Sequence, residues 1–245
     1  MKIALFIPCY IDQFYPQVGV ATLELLERLG CTVEYPEGQT CCGQPMANTG
    51  CEQDAIPTYK HYVNTFSGYD YVVTPSGSCA YHVRKHYDVI EQSPAVKQLR
   101  KRTLDLSEFL LDVLKVDELK ARFPAKVGVH QSCHGLRGLR LGPGSERNIE
   151  APSAIHTLLN MVDGVEIAGL DRADECCGFG GTFAINEPDI SVKMGKDRIA
   201  DHTRSGVEVI TAGDMSCLMH LEGILRRQGS PVQVKHIAEI LNSQA

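Results

Sequence analysis

The chain carries the same cysteine series twice. In the first half Cys9, the adjacent pair Cys41-Cys42 followed by Gly43, and Cys79 within Ser78-Cys79-Ala80-Tyr81-His82 occur in that order. In the second half Cys133, the pair Cys176-Cys177 followed by Gly178, and Cys217 within Ser216-Cys217-Leu218-Met219-His220 repeat it. Matched cysteines stand 124, 135 and 138 residues apart, so the halves differ in loop length while keeping one order of elements. This self-similarity indicates an internal duplication, with one cysteine-rich unit over residues 1–123 and a second over 124–245.

Apolar runs rich in Val and Ile predict strands at 3–7, 32–35, 71–73, 127–130, 165–168, 207–211 and 232–234. Helical spacing fills the intervals. Pro16 opens a helix in which Val18, Ala21, Leu25 and Leu29 recur at three and four residues, and Gly30 stops it. Further helices are expected near 54–66, 80–87, 106–114, 153–161, 188–202 and 218–228. Strands alternating with helices make βαβ units, so the expected fold is α/β: two similar Rossmann-like halves on mainly parallel sheet. At 245 residues, 43% hydrophobic and 22% charged, the chain has the interior and the composition for such a fold.

Charge and hydropathy exclude other classes. With 24 Lys+Arg against 30 Asp+Glu and no basic block, the net charge of -6 argues against a nucleic-acid partner. No apolar run approaches the roughly 18 residues that span a bilayer, and residues 3–8 are too short for a secretory core segment. A cytoplasmic location is therefore expected. Thiols are held reduced there, so the ten cysteines point to metal binding or redox chemistry rather than disulfides.

Ligand sites in open parallel sheets form beyond the carboxyl ends of the strands, where Cys9, Cys79, Cys133 and Cys217 fall. Short loops entering helices present backbone N–H groups and a positive dipole end, which favour thiolate over thiol. Each half thus offers four candidate ligands: Cys9, Cys41, Cys42 and Cys79, then Cys133, Cys176, Cys177 and Cys217. Four thiolates suit structural zinc or an iron–sulfur cluster. Zinc sites usually draw on cysteines two to four residues apart, whereas adjacent cysteines on extended backbone point apart and reach different irons. The glycine after each pair lets backbone approach inorganic sulfide. These features favour an iron–sulfur cluster over zinc, one or two per chain.

His82 and His220 lie one helical turn beyond the last cysteine of their halves, and His134 adjoins Cys133, positions from which an imidazole would border cluster sulfur. A packed or solvated histidine accounts for these positions equally well. Cys31 and Cys51 have no counterpart in the other half and read as small buried residues. The run 178–183 lacks the third glycine of a dinucleotide fingerprint, and neither a Walker A loop nor a nucleophile elbow is present. No catalytic residue is assigned, and oxidation of an organic substrate would require another subunit or cofactor.

Four strings carry a resemblance: 35–45, containing Cys41-Cys42-Gly43-Gln44-Pro45; Pro75-Ser76-Gly77-Ser78-Cys79; Cys176-Cys177-Gly178-Phe179-Gly180-Gly181-Thr182-Phe183; and His236-Ile237-Ala238-Glu239-Ile240-Leu241. Over nearly its whole length the chain resembles the duplicated cysteine-rich (CCG) domain proteins related to heterodisulfide reductase B subunits and glycolate oxidase iron–sulfur subunits, and within them the lactate-utilization branch. That resemblance implies an iron–sulfur oxidoreductase component of a multi-protein system oxidising L-lactate to pyruvate. It would act beside a ferredoxin-like iron–sulfur subunit and a third lactate-utilization protein. One departure stands out. The related reductase motifs end in Cys-x-x-Cys, and the earlier position here is Ser76 or Asp214. Each half is one cysteine short of the set holding that enzyme's split cluster, so four thiolates on an ordinary 4Fe-4S cluster are the economical reading. A thiol/disulfide oxidoreductase of heterodisulfide-reductase type and a structural zinc-binding scaffold are the alternatives.

Overall fold

Short runs of branched apolar residues, buried on both faces, form the interior strands of the structure, a computed structural model describing residues 1–149 and 151–244. Ile3, Ala4 and Leu5 of β1 (Ile3–Leu5) are all buried, as are all four residues of β7 (Val209–Ala212). Continuous burial of this kind is what a parallel strand covered by helices on both sides requires. The first sheet has the order β2 (Val33–Glu34), β1, β3 (Tyr71–Thr74), β4 (Thr103–Asp105). The second has the order β6 (Asp163–Ile167), β5 (Arg122–Val129), β7, β8 (Gln233–His236). Every pairing is parallel. The two orders superimpose strand for strand, which is the expected α/β architecture of two similar halves.

Helices α1 (Cys9–Phe14) and α2 (Pro16–Arg28) follow β1, and α3 (Gln44–Asn48) and α4 (Ile56–Phe66) precede β3. Helices α5 (Gly77–His86) and α6 (Pro94–Arg102) connect β3 to β4, and α7 (Leu106–Glu108) runs on into a π-helical turn, Phe109–Val113. In the second half a π-helical turn, His134–Gly138, follows β5, and α8 (Ala154–Leu159) precedes β6. Then come α9 (Phe183–Asn186), α10 (Pro188–Arg204), α11 (Met215–Arg227) and α12 (Ile237–Leu241). Proline opens α2, where its missing N–H costs nothing.

The seven expected strands are present, and β4 is an eighth that the sequence pattern hides. Arg100, Lys101 and Arg102 precede it and Asp105 ends it, so no apolar run announces it. Its three residues are nevertheless buried and paired with β3 through Val72 to Thr103, Val73 to Leu104 and Thr74 to Asp105.

One hydrophobic core crosses the molecule. It joins Ile3, Leu25 and Leu110 from the first half to Val127, Ile210 and Leu241 from the second. The closing contact is α12, which packs on α2 while the Arg28 guanidinium donates to Leu241 O at 2.7 Å. Ile240 and Leu241 are fully buried there, worth ~1.5–3 kcal/mol each. A second core, around Phe6, Tyr62, Phe66 and Tyr87, fills the other face of the first sheet.

Candidate metal centre

Strand ends and helix starts deliver the cysteines. Cys9 opens α1 directly after Pro8, and Cys79 sits in the first turn of α5, where the Ser76 hydroxyl caps the helix by accepting from Cys79 N at 3.3 Å. The pair Cys41-Cys42 enters from the loop after β2. Cys9 Sγ and Cys41 Sγ lie 3.8 Å apart, and the Cys42 thiol donates to Cys79 Sγ at 3.3 Å. Gly43 N donates to Cys41 Sγ at 3.3 Å. The chain can turn this backbone N–H onto the sulfur because Gly43 is left-handed, with φ 87°, and a Cβ there would lie 2.5 Å from the Tyr59 ring.

The second half repeats the device. Gly178, at φ 86°, donates its N–H to Cys176 Sγ at 3.3 Å. Cys133 stands beside Cys176, Cys176 beside Cys177, and Cys177 beside Cys217 in the first turn of α11. All eight repeated cysteines are thus assembled into two sets of four. Cys31 is half-buried against the core, but Cys51 is exposed, contrary to the reading of it as a buried packing residue. It lies just after the Thr49-Gly50 turn that ends α3, away from both cores.

Crowding makes the thiols unequal. Thiol donation from Cys42 and from Cys9 pulls Cys41 down to about 3. Cys133 and Cys177 do the same for Cys176, pulled to about 2. The donors Cys9, Cys42, Cys133 and Cys177 are pushed up, first by the hydrogen bond to the neighbouring sulfur and then by burial or by a second such bond. Cys217 is drawn to about 7, chiefly by Cys177 and also by the adjacent His130 ring. The cysteine pulled down in each set is thus the one most readily deprotonated, the state that a metal ligand needs.

Seven of the eight cysteines, all but Cys41, line a single cavity of about 510 Å³ between the halves, together with Tyr10, Phe179 and His134. Among the described residues that line it, none is Lys or Arg. The halves meet at its floor. Ser76 and Asp214, equivalent positions three residues before Cys79 and Cys217, pair in an antiparallel bridge. The Asp214 carboxylate, 1% exposed, accepts from Ser76 Oγ and from Ser78 N, both at 2.9 Å.

The three histidines named from sequence have different surroundings. His82 is buried, pairs through Nε2 with the Tyr59 hydroxyl at 3.0 Å and stacks on His86 at 4.8 Å. Burial, with the charge of His86, pushes its pKa down to about 3. His220 directs Nε2 to Ser191 O at 3.3 Å, and His134 lines the cavity with its ring 5.2 Å from Tyr81. One imidazole that meets the sulfurs was passed over by sequence reasoning. A ring nitrogen of His130 and the sulfurs of Cys177 and Cys217 lie within 4.8 Å of one another. Its signal was available as His130-x-x-Cys133, set against Phe6-x-x-Cys9 in the other half.

Behind Asp214 lies a second buried acid, Asp105, 2% exposed, whose Oδ1 accepts from Ser107 N at 2.8 Å. Burial, reinforced by the charge of Asp214, raises Asp105 from 3.8 to about 7. The folded chain then holds this proton longer than the unfolded chain does. Its stabilising contribution is complete below pH 3.8 and is lost as the pH rises to about 7. Asp105→Asn keeps the acceptor for Ser107 and removes the titration. The variant is expected to match the wild type near pH ~4 and to exceed it above pH ~7 by up to ~4 kcal/mol, measured by urea unfolding across that range.

The cysteine-rich domain (CCG) model matches residues 3–84 and 127–222, one copy on each sheet. Lactate utilization protein A of Geobacillus sp. (strain WCH70) is 42% identical over 248 residues, covering 100% of both chains. The chain belongs to this CCG family. The similarly named protein of an Exiguobacterium sp. is 41% identical over 249 residues, covering 98% of this chain and 97% of its own. Family membership and geometry agree: the domain recurs where the cysteines recur, and both matches begin in the strand that leads to the first cysteine of each set. Among solved structures, a glutamate racemase from Bacillus anthracis aligns over 98% of this chain and 78% of its own, at 13% identity and a TM-score of 0.37. That likeness is too distant to bear on fold or chemistry.

Proposed function

We propose that the protein is an iron–sulfur electron-transfer component of a multi-protein system oxidising L-lactate, or a close 2-hydroxy acid, to the keto acid. The observation that carries this reading is the pair of four-cysteine sets facing one cavity. The sulfurs in each set form a run of contacting neighbours, the soft, deprotonatable donors that an iron–sulfur cluster requires. Cys9, Cys41, Cys42 and Cys79 would hold one 4Fe-4S cluster, and Cys133, Cys176, Cys177 and Cys217 a second, one in each unit, 1–123 and 124–245. When bound, such a cluster supplies one-electron transfer.

The relatives named lactate utilization protein A support the lactate role. The cavity lining supports a division of labour: with no Lys or Arg among its described residues, a lactate carboxylate finds no counter-charge there. Substrate would then be oxidised on a partner. We assign the partners as a ferredoxin-like iron–sulfur subunit and a third lactate-utilization protein, in the cytoplasm. No helix among the described residues is long and apolar enough to cross a membrane.

Purified without air, the protein is expected to be brown and to contain iron and acid-labile sulfide in equal amounts, with a paramagnetic signal on one-electron reduction. Stoichiometric zinc without sulfide would replace this reading with the zinc scaffold. Rapid reduction of a mixed disulfide by iron-free protein would replace it with thiol/disulfide chemistry.

A further inference from the structure

The two sulfur sets are not chemically equivalent. Three residues before Cys9 the chain has Phe6, whose backbone N–H donates to Val73 O at 2.9 Å. At the matched place before Cys133 stands His130, whose N–H donates to Thr211 O at 2.7 Å, and Thr211 is the counterpart of Val73 in the neighbouring strand. Backbone placement is the same and the side chains differ. The Phe6 ring packs edge-on against Tyr62, with centroids 5.1 Å apart, as part of the first-half core. The His130 ring is as deeply buried, at 1% exposure, yet neither nitrogen makes a hydrogen bond of normal geometry among the described residues; the ring faces the Cys217 sulfur instead. A buried imidazole with both nitrogens unpaired is unfavourable unless something else completes it. Its nitrogen, Cys177 Sγ and Cys217 Sγ all lie within 4.8 Å of one another, so the ring faces the same metal-binding space as the two sulfurs.

We propose that His130 is a metal ligand of the second-half centre, taking the place there of one of the four thiolates assigned above, so that this centre binds through nitrogen as well as sulfur while the first-half centre binds through sulfur alone. The nature of the metal rests on the iron–sulfur reading above; the ligand assignment does not. A neutral imidazole in place of an anionic thiolate lowers the negative charge around the metal and raises its reduction potential. The second-half centre is then the electron acceptor of the pair and the first-half centre the donor.

The test needs no variant to begin with. Protein grown on nitrogen-15 histidine and reduced without air is examined by pulsed paramagnetic resonance. One of the two centres is expected to give the strong nitrogen coupling of a coordinated imidazole, changing with the isotope, and the other none. In His130→Phe, which installs the residue of the first half, the coupling is expected to vanish and the higher-potential wave of a redox titration to move to lower potential or disappear, while the other wave stays in place. Iron-loaded protein with no histidine coupling at either centre would overturn the proposal, as would coupling that survives in His130→Phe. Should the purified protein hold no iron, the function above fails on its own. The same labelled protein loaded with Co²⁺ then reads the ligand set directly, and a cobalt centre without histidine nitrogen would overturn the assignment.

Discussion

Cys42→Ser and Cys177→Ser are each expected to cost the protein about half of its iron, with the other half retained and the fold unchanged. Both sulfurs are almost completely enclosed and each stands between two other cysteines of its set. A serine hydroxyl is nearly the same size but is a hard, weakly acidic donor that a soft metal site disfavours. Cys177 belongs to the core that joins the sheets and Cys42 to the second core, so the fold should tolerate the change because serine is nearly the same size, at the cost of burying one hydroxyl. Metal analysis beside circular dichroism checks the expectation. Loss of all iron from either single variant would mean that the eight cysteines serve one shared centre, and the two-cluster picture would fall.

The largest stability effects are expected at the glycines behind the cysteine pairs. A Cβ at Gly178 would come within 2.7 Å of both Ser191 O and Met194 Cβ, and one at Gly43 within 2.5 Å of Tyr59. Both glycines also adopt a left-handed backbone, which costs an L-residue ~1–2 kcal/mol before any clash. Overpacking adds ~1–3 kcal/mol. Gly178→Ala and Gly43→Ala should therefore lose ~2–5 kcal/mol in urea unfolding of metal-free protein. Gly30→Ala is the internal control. Its φ of 82° is similar but nothing lies within 4 Å of the added methyl, so only the backbone term, ~1–2 kcal/mol, should appear. Equal losses at all three positions would show that the close approach behind each pair contributes nothing.

The fold was legible where its signal was local. Seven strands could be read because runs such as Tyr71–Thr74 are apolar and bounded by turn residues, and the duplication because a cysteine series survives changes in loop length. The candidate ligands followed because strand ends and helix starts place them, whatever the packing elsewhere. Features that depend on tertiary partners stayed hidden. Thr103–Asp105 becomes a strand only because β3 offers it an edge, against the signal of three preceding basic residues. The Asp214 to Ser76 link joins residues 138 positions apart. His130 reads as the end of an ordinary strand until the cysteines of two other segments close around it. Cys51 was misread because being unpaired in the repeat says nothing about exposure.

The interior that runs without a break from one sheet to the other, fastened by α12 on α2, fixes the span between the two sulfur sets. A carrier built as two lobes on a swivel would have its internal hop timed by the swing. On the function proposed above, that hop would have no moving part to wait for, and throughput would pass to the docking and departure of whatever exchanges electrons with the protein.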